Sequence, residues 1–141
     1  MLILSAVNSV KFLVRKKWFV VASDDGFIHV YNYETKMYRI TSFRGGSIVA
    51  IHPSKPYMLS ASYSHHRGRR VIGAELWDWD KNWERTKIFE IRHGDWPSQV
   101  AFNPMDTNTF AIAFWEHKVV EVWSPPKHPK KKSRVLPCKD M

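Results

Sequence analysis

Seven histidines and one cysteine stand among the 141 residues, and they are where catalysis or metal binding would begin. His65 and His66 are adjacent in a basic stretch, His52 closes the segment IHP, and His29 alternates within FIHV. A zinc ion needs three or four ligands at workable spacing. His65, His66 and His93 are the nearest approach to such a set, and no Cys or further His stands where it would supply a fourth ligand. The serines lack the turn signature of an exposed nucleophile, and the six glycines form no phosphate-cradling loop. The chain therefore reads as non-enzymatic, with no cofactor and no metal. Cys138 is an ordinary thiol near the C-terminus, which excludes an internal disulfide framework and favours an intracellular setting.

The other chemistry-bearing stretch is cationic. SPPKHPKKKSRVLPCKDM combines four prolines with dense lysine, a composition that stays extended and solvated. Within it, PKKKSRV resembles a monopartite nuclear import signal, in which Lys130, Lys131, Lys132 and Arg134 would enter acidic receptor pockets. The same side chains could contact RNA or an anionic membrane, with affinity falling steeply as salt rises. A simple solvated tail is the equal alternative. Much of the net charge of +9 lies in this segment, so the charge describes the tail more than a basic fold surface. The N-terminal MLILSAVNSVKF is broken by Asn8, Ser9 and Lys11 and carries its charges after the apolar run, unlike a secretory signal. No apolar run approaches the length needed to span a bilayer as a helix.

The elements that would carry these residues are strands. An aromatic share of 14%, with seven Trp and eight Phe, suits pleated surfaces. The segments FIHVYNYETK, GAELWDWDKN and VVEVWSPPKH align at Tyr31, Trp77 and Trp123, spaced 46 residues apart. Each anchor closes an alternating run, and two strand-like runs precede it: SVKFLV and WFVVAS, SIVAIHP and YMLSASY, SQVAFNP and TFAIAFW. A fourth run leads each group, LILSA, KMYRITSF and RTKIFEI. Pro53 and Pro104 fall at matching points after the first of the inner strands, and SDDGF suits a tight hairpin turn. A period of this length is the mark of a repeat architecture.

The strand plan, the period and the Trp77-Asp78 pair resemble WD40 repeats, whose four-stranded units are the blades of a β-propeller. More narrowly, RKKW, SDDG, YNYET, HPSKPY and WDWDKNW, in that order, resemble the N-terminal propeller of coatomer beta-prime subunits of the COPI vesicle coat. The resemblance runs over about residues 5–124. It implies an all-β fold, a WD40-type propeller fragment of about three four-stranded blades with a disordered basic tail. The units are expected at about 2–33, 36–79 and 85–124, and the tail at 125–141. Tyr31, Trp77, Asp78 and Trp123 are then blade anchors, with Asp24 or Asp25 in the turn position where such repeats place a network-forming Asp.

Several positions depart from the pattern. The second unit carries a long basic loop, SYSHHRGRRVIG, with no carboxylate before Glu75, and the third has Glu116 near the expected Asp. Propellers of this family receive dilysine cargo signals on carboxylates. Here the expected carboxylates are missing, and Arg67, Arg69 and Arg70 would repel a lysine ligand, so these departures speak against dilysine cargo. Three blades also leave two flanks open, which points to self-association or to another propeller fragment. The function expected is a protein-interaction module related to the COPI coat, in Golgi to endoplasmic reticulum transport, cytoplasmic and vesicle-associated, with coat subunits as partners. The alternatives are a nuclear or nucleic-acid-associated adaptor directed by the tail, or a truncated duplicate with little function.

Overall fold

The computed structural model describes residues 6–13, 15–34, 38–66, 69–91, 96–115, 119–123 and 134–137. They form three antiparallel sheets of four strands each, one after another along the chain. The first holds β1 (Val7–Phe12), β2 (Trp18–Ser23), β3 (Phe27–Asn32) and β4 (Tyr38–Arg44). The second holds β5 (Ile48–Ile51), β6 (Tyr57–His66), β7 (Arg69–Asp78) and β8 (Glu84–Ile91). The third holds β9 (Pro97–Asn103), β10 (Asp106–Phe114), β11 (Val119–Trp123) and β12 (Arg134–Pro137). Each strand pairs with its sequence neighbour, so every sheet is a meander.

The run that leads each sequence unit completes the sheet before it. KMYRITSF becomes β4 and pairs with β3, and RTKIFEI becomes β8 and pairs with β7. Sequence unit and sheet are thus offset by one strand. LILSA, the leading run of the first unit, falls outside the described residues except for Ala6. The basic stretch read as a long loop is mostly strand. Pairing of β6 with β7 continues through Tyr63 with Ile72 to His66 with Arg69. Within the segment expected to be tail, Arg134–Pro137 lies beside β11, with Val135 opposite Glu121 and Leu136 opposite Val120. Apart from these four, 124–141 lie outside the described residues.

A central strand such as WFVVAS is apolar up to Ser23 because its side chains are buried on both faces. Val20 and Ala22, with Ile28 and Val30 of β3, pack against Val49, Met58, Trp77 and Trp79 of the second sheet's side. A second core joins Leu59, Ala61 and Ala74 to Phe110, Ile112 and Phe114. The middle sheet is therefore buried on both faces, and each fully buried aliphatic or aromatic side chain contributes roughly 1.5–3 kcal/mol. The remaining cluster, Phe19, Val21 and Tyr31, belongs to the first sheet alone.

Local chemistry sets the turns. At Ser23–Phe27, Gly26 takes φ 83° and its N–H donates to the Ser23 carbonyl at 3.0 Å, while Asp25 accepts from the Phe27 N–H. The β4–β5 connection is glycine for steric reasons. A Cβ on Gly45 would lie 2.6 Å from Ile28 Cδ1, and one on Gly46, at φ 131°, would lie 2.6 Å from the Ala61 carbonyl oxygen. After β7, a single 3-10 turn, Trp79–Lys81, is capped by the Asp78 carboxylate, and Asn82 and Trp83 both adopt positive φ. That conformation costs an L-residue about 1–2 kcal/mol, and at Trp83 it is offset by ring contacts with Phe43 and Trp79.

Candidate interaction surface

The three aromatic anchors occupy equivalent places. Trp77 on β7 is buried against the first sheet, its ring centroid 4.6 Å from that of Phe43. Trp123 on β11 faces the middle sheet, stacked on Phe110 at 6.2 Å and edge-on to Phe89. Tyr31 on β3 is also buried, but it stacks on Phe19 at 5.4 Å on the face turned away from the other two sheets.

Their polar edges are satisfied in different ways. Trp77 Nε1 donates to Ser60 Oγ at 2.9 Å, and that hydroxyl donates onward to the Gly45 carbonyl. The serine relay satisfies the buried indole of this sheet without a carboxylate. Trp123 Nε1 donates to the buried Glu121 carboxylate at 3.0 Å. In the first sheet, Asp25 accepts from the buried Ser23 hydroxyl, and Asp24 accepts from the Asn8 amide. Asp78 is buried and accepts from the Asp80 N–H at 3.0 Å. Trp79, just past the end of β7, turns into the first core. It does so because the turn capped by Asp78 swings the chain back. Arg134 lies on β12, whereas Lys130, Lys131 and Lys132 lie outside the described residues.

What these elements build at one end is a groove of about 600 Å³ crossing all three sheets. Asp24 comes from the β2–β3 turn, Arg44 from the end of β4, Glu75 and Arg85 from β7 and β8, and Trp96 and Trp115 from the flanks of β9 and β10. The Trp115 backbone N–H donates to the Trp96 carbonyl at 3.0 Å, which pairs the two residues across the strands, and both side chains are exposed, Trp115 by 74%. Glu75 Oε1 pairs with Arg85 Nη1 at 3.3 Å, while Oε2 is buried with no hydrogen-bond partner among the described residues. Burial pushes the Glu75 carboxyl above its ordinary range, and the Arg85 guanidinium only partly offsets this. Such a surface can accept a cationic or amide group at Glu75 and stack apolar or planar groups on the indoles.

Sequence reasoning did not assemble this groove, because its members come singly from separate strands. A carboxylate within GAELW, flanked by apolar residues, was the one local sign.

His52 is a second unassigned polar group. It is buried, its Nδ1 accepts from the N–H groups of Ser54 (3.1 Å) and Lys55 (2.9 Å), and its ring meets Phe102 edge-on at 5.3 Å. Burial, and secondarily the Lys55 charge, lower its pKa below 6.5, so the ring is held neutral. Asn103 does the same work before Pro104, accepting from the Met105 N–H. Of the histidines considered for zinc, His65 and His66 fall on β6 and His93 lies outside the described residues. No group of three metal-ligating side chains gathers among the described residues. Nor does any helix among them have the length and apolarity to cross a membrane.

No family model matches the chain. Over 48 residues, 34% of its length, it is 56% identical to coatomer subunit beta'-2 of Oryza sativa subsp. japonica. Over a similar stretch it is 48% identical to coatomer subunit beta'-2 of Arabidopsis thaliana and 40% identical to coatomer subunit beta' of Rattus norvegicus. The chain's matched stretch spans about 5% of the length of these relatives. Among solved structures, it superposes on the beta-propeller domain of Myceliophteria thermophila Cps50 (Swd1) with a TM-score of 0.71 and 21% identity, covering 96% of this chain and 40% of that one. A eukaryotic initiation factor structure gives 0.67 at 11% identity, with 96% and 34% covered. The fold is that of β-propeller blades, and about a third of the chain is homologous to coatomer beta' subunits.

Proposed function

We propose that this chain is a non-enzymatic protein-interaction module that works beside the COPI coat, presenting coatomer-like blades to coat subunits on cytoplasmic Golgi-derived membranes. The observation that carries the reading is the homologous stretch of up to 56% identity to coatomer beta' subunits, set within three propeller-type sheets. The groove across the sheets supports binding as its mode of action: mixed charges and two exposed indoles give orientation and contact area, the features of a protein contact surface. Dilysine cargo is not part of the proposal, since the carboxylates that would receive it are missing from the expected positions and Arg67, Arg69 and Arg70 are like-charged to it.

The test is direct binding of the purified chain to purified coat subunits, with Trp115→Ala alongside. The module reading expects saturable binding that Trp115→Ala weakens at least tenfold, because an exposed indole at a contact centre is worth more than about 1.4 kcal/mol. No binding to any coat subunit would overturn it.

A further inference from the structure

In a meander the connections alternate between the two ends of the strands. Those after β2, β4, β8 and β10 supply residues of the groove, so those after β1, β5, β7 and β9 lie at the other end. There a depression of about 250 Å³ gathers Arg15 and Lys16 of the β1–β2 turn, Lys55 and Pro56 of the β5–β6 turn, and Trp79 and Asp80 of the 3-10 turn. Its cations sit on fixed supports. Arg15 takes φ 64°, a conformation that strains an L side chain, and its Nη2 donates to the Ser54 carbonyl at 3.0 Å, tying the first sheet's turn to the second's. Lys16 Nζ lies 5.0 Å from the centroid of the Trp18 ring. The turn carrying Lys55 is held by the Ser54 and Lys55 N–H groups, which both donate to the buried His52 ring, and the Trp79 N–H donates to the Pro56 carbonyl. Among the described residues none of the three cations forms an ion pair, and Asp80 is the one carboxylate that lines the depression.

We infer that this depression is a binding site for a phosphorylated side chain of a partner polypeptide, with Arg15, Lys16 and Lys55 receiving the phosphate. A guanidinium keeps further N–H donors after one hydrogen bond and can meet phosphate oxygens in pairs, and two ammonium groups add point charges. A phosphoserine brings a charge of about −1.5 to −2, which matches three cations set against one carboxylate. The volume is smaller than the roughly 300–1,000 Å³ of sites that enclose a whole small molecule, and suits one side chain of a longer ligand. Pro56 and the Trp79 ring are apolar surface for the residue beside the phosphate. A membrane fits less well, because a broad anionic surface would also meet Glu34, Glu84 and Asp106, which stand at the same end of the sheets as exposed Lys17 and Lys81. The site shares no residue with the groove, and the inference does not depend on coat binding.

Fluorescence anisotropy with a labelled peptide pool, phosphoserine at the centre and randomised flanks, tests it on the full chain. The phosphorylated pool is expected to bind at least tenfold tighter than the same pool with serine, and the preference should shrink as salt rises. Arg15→Asn removes the guanidinium while keeping a residue that tolerates positive φ, and Lys55→Gln keeps the backbone N–H that holds the turn. Each is expected to weaken phosphopeptide binding at least fivefold with unchanged circular dichroism, and to leave binding to coat subunits as it was. Vesicles of equimolar phosphatidylserine and phosphatidylcholine should not displace the peptide. Equal affinity for the two pools, no binding of the phosphorylated pool, indifference to both substitutions, or displacement by the vesicles would overturn the inference.

Discussion

Replacing Ser60 by Ala tests the packing logic at its most exact point. The hydroxyl is fully buried, accepts from Trp77 Nε1 at 2.9 Å and donates to the Gly45 carbonyl. Its loss strands a buried indole N–H and a carbonyl on the connection between the first two sheets. At about 1–3 kcal/mol for each stranded group, with partial relaxation, Ser60→Ala should cost roughly 2–4 kcal/mol. Trp77→Phe removes the same donor and some ring volume, leaves the Ser60–Gly45 bond intact, and should cost about 1–3 kcal/mol. In the double variant the indole is no longer stranded, so the two losses should overlap by about 1–2 kcal/mol. Urea unfolding followed by tryptophan fluorescence, at one fixed chain concentration, reads these as midpoint shifts of about 1 M or more for Ser60→Ala. A Ser60→Ala cost below about 0.5 kcal/mol, or strict additivity in the cycle, would refute the relay as the device joining the first two sheets.

The remaining expectations bear on other parts of the molecule. The His52 pKa is lowered below 6.5 in the folded chain, so the unfolded chain binds more protons as pH falls through that value. Stability should be fully present above pH 6.5 and lost as pH falls toward the folded pKa, and thermal unfolding of His52→Asn should show a shallower loss over that window. Glu75 runs the other way: its raised pKa means that its contribution is present below 4.5 and lost as pH rises through the folded value. Glu75→Gln should therefore flatten the pH dependence of the melting temperature above 4.5, with a small net change at neutral pH because the Arg85 pair is lost too. Gly46→Ala places a Cβ 2.6 Å from a backbone oxygen at φ 131°, and should destabilise by more than about 2 kcal/mol in the same urea assay.

Much of the architecture was legible because its signals are local and periodic. Tyr31, Trp77 and Trp123 recur at one spacing, and the structure places all three on equivalent strands β3, β7 and β11. SDDG was readable as a hairpin turn because an Asp acceptor and a Gly at positive φ act within four residues. The course of β6 and β7 past Ser62 was not, since basic residues at Arg69 and Arg70 have the composition of a loop, while strand pairing depends on the partner across the ladder. Ser60 carries no mark in the sequence that separates it from other serines; its role arises from where Gly45 and Trp77 meet. The groove was illegible for the same reason. Asp24, Glu75, Arg85, Trp96 and Trp115 are spread over 92 positions and converge only when three sheets stack.

Hydrogen exchange of the chain, free and with purified coat subunits, tests protein contact in that groove most directly. In the free chain the amides of β6 and β7 should exchange slowest, because the middle sheet is covered on both faces. On binding, further slowing should fall at Gly45 to Ile48 and beside Trp96 and Trp115, which line the groove. Binding that leaves those amides unchanged, or protection confined to the opposite ends of the sheets, would contradict contact through the groove.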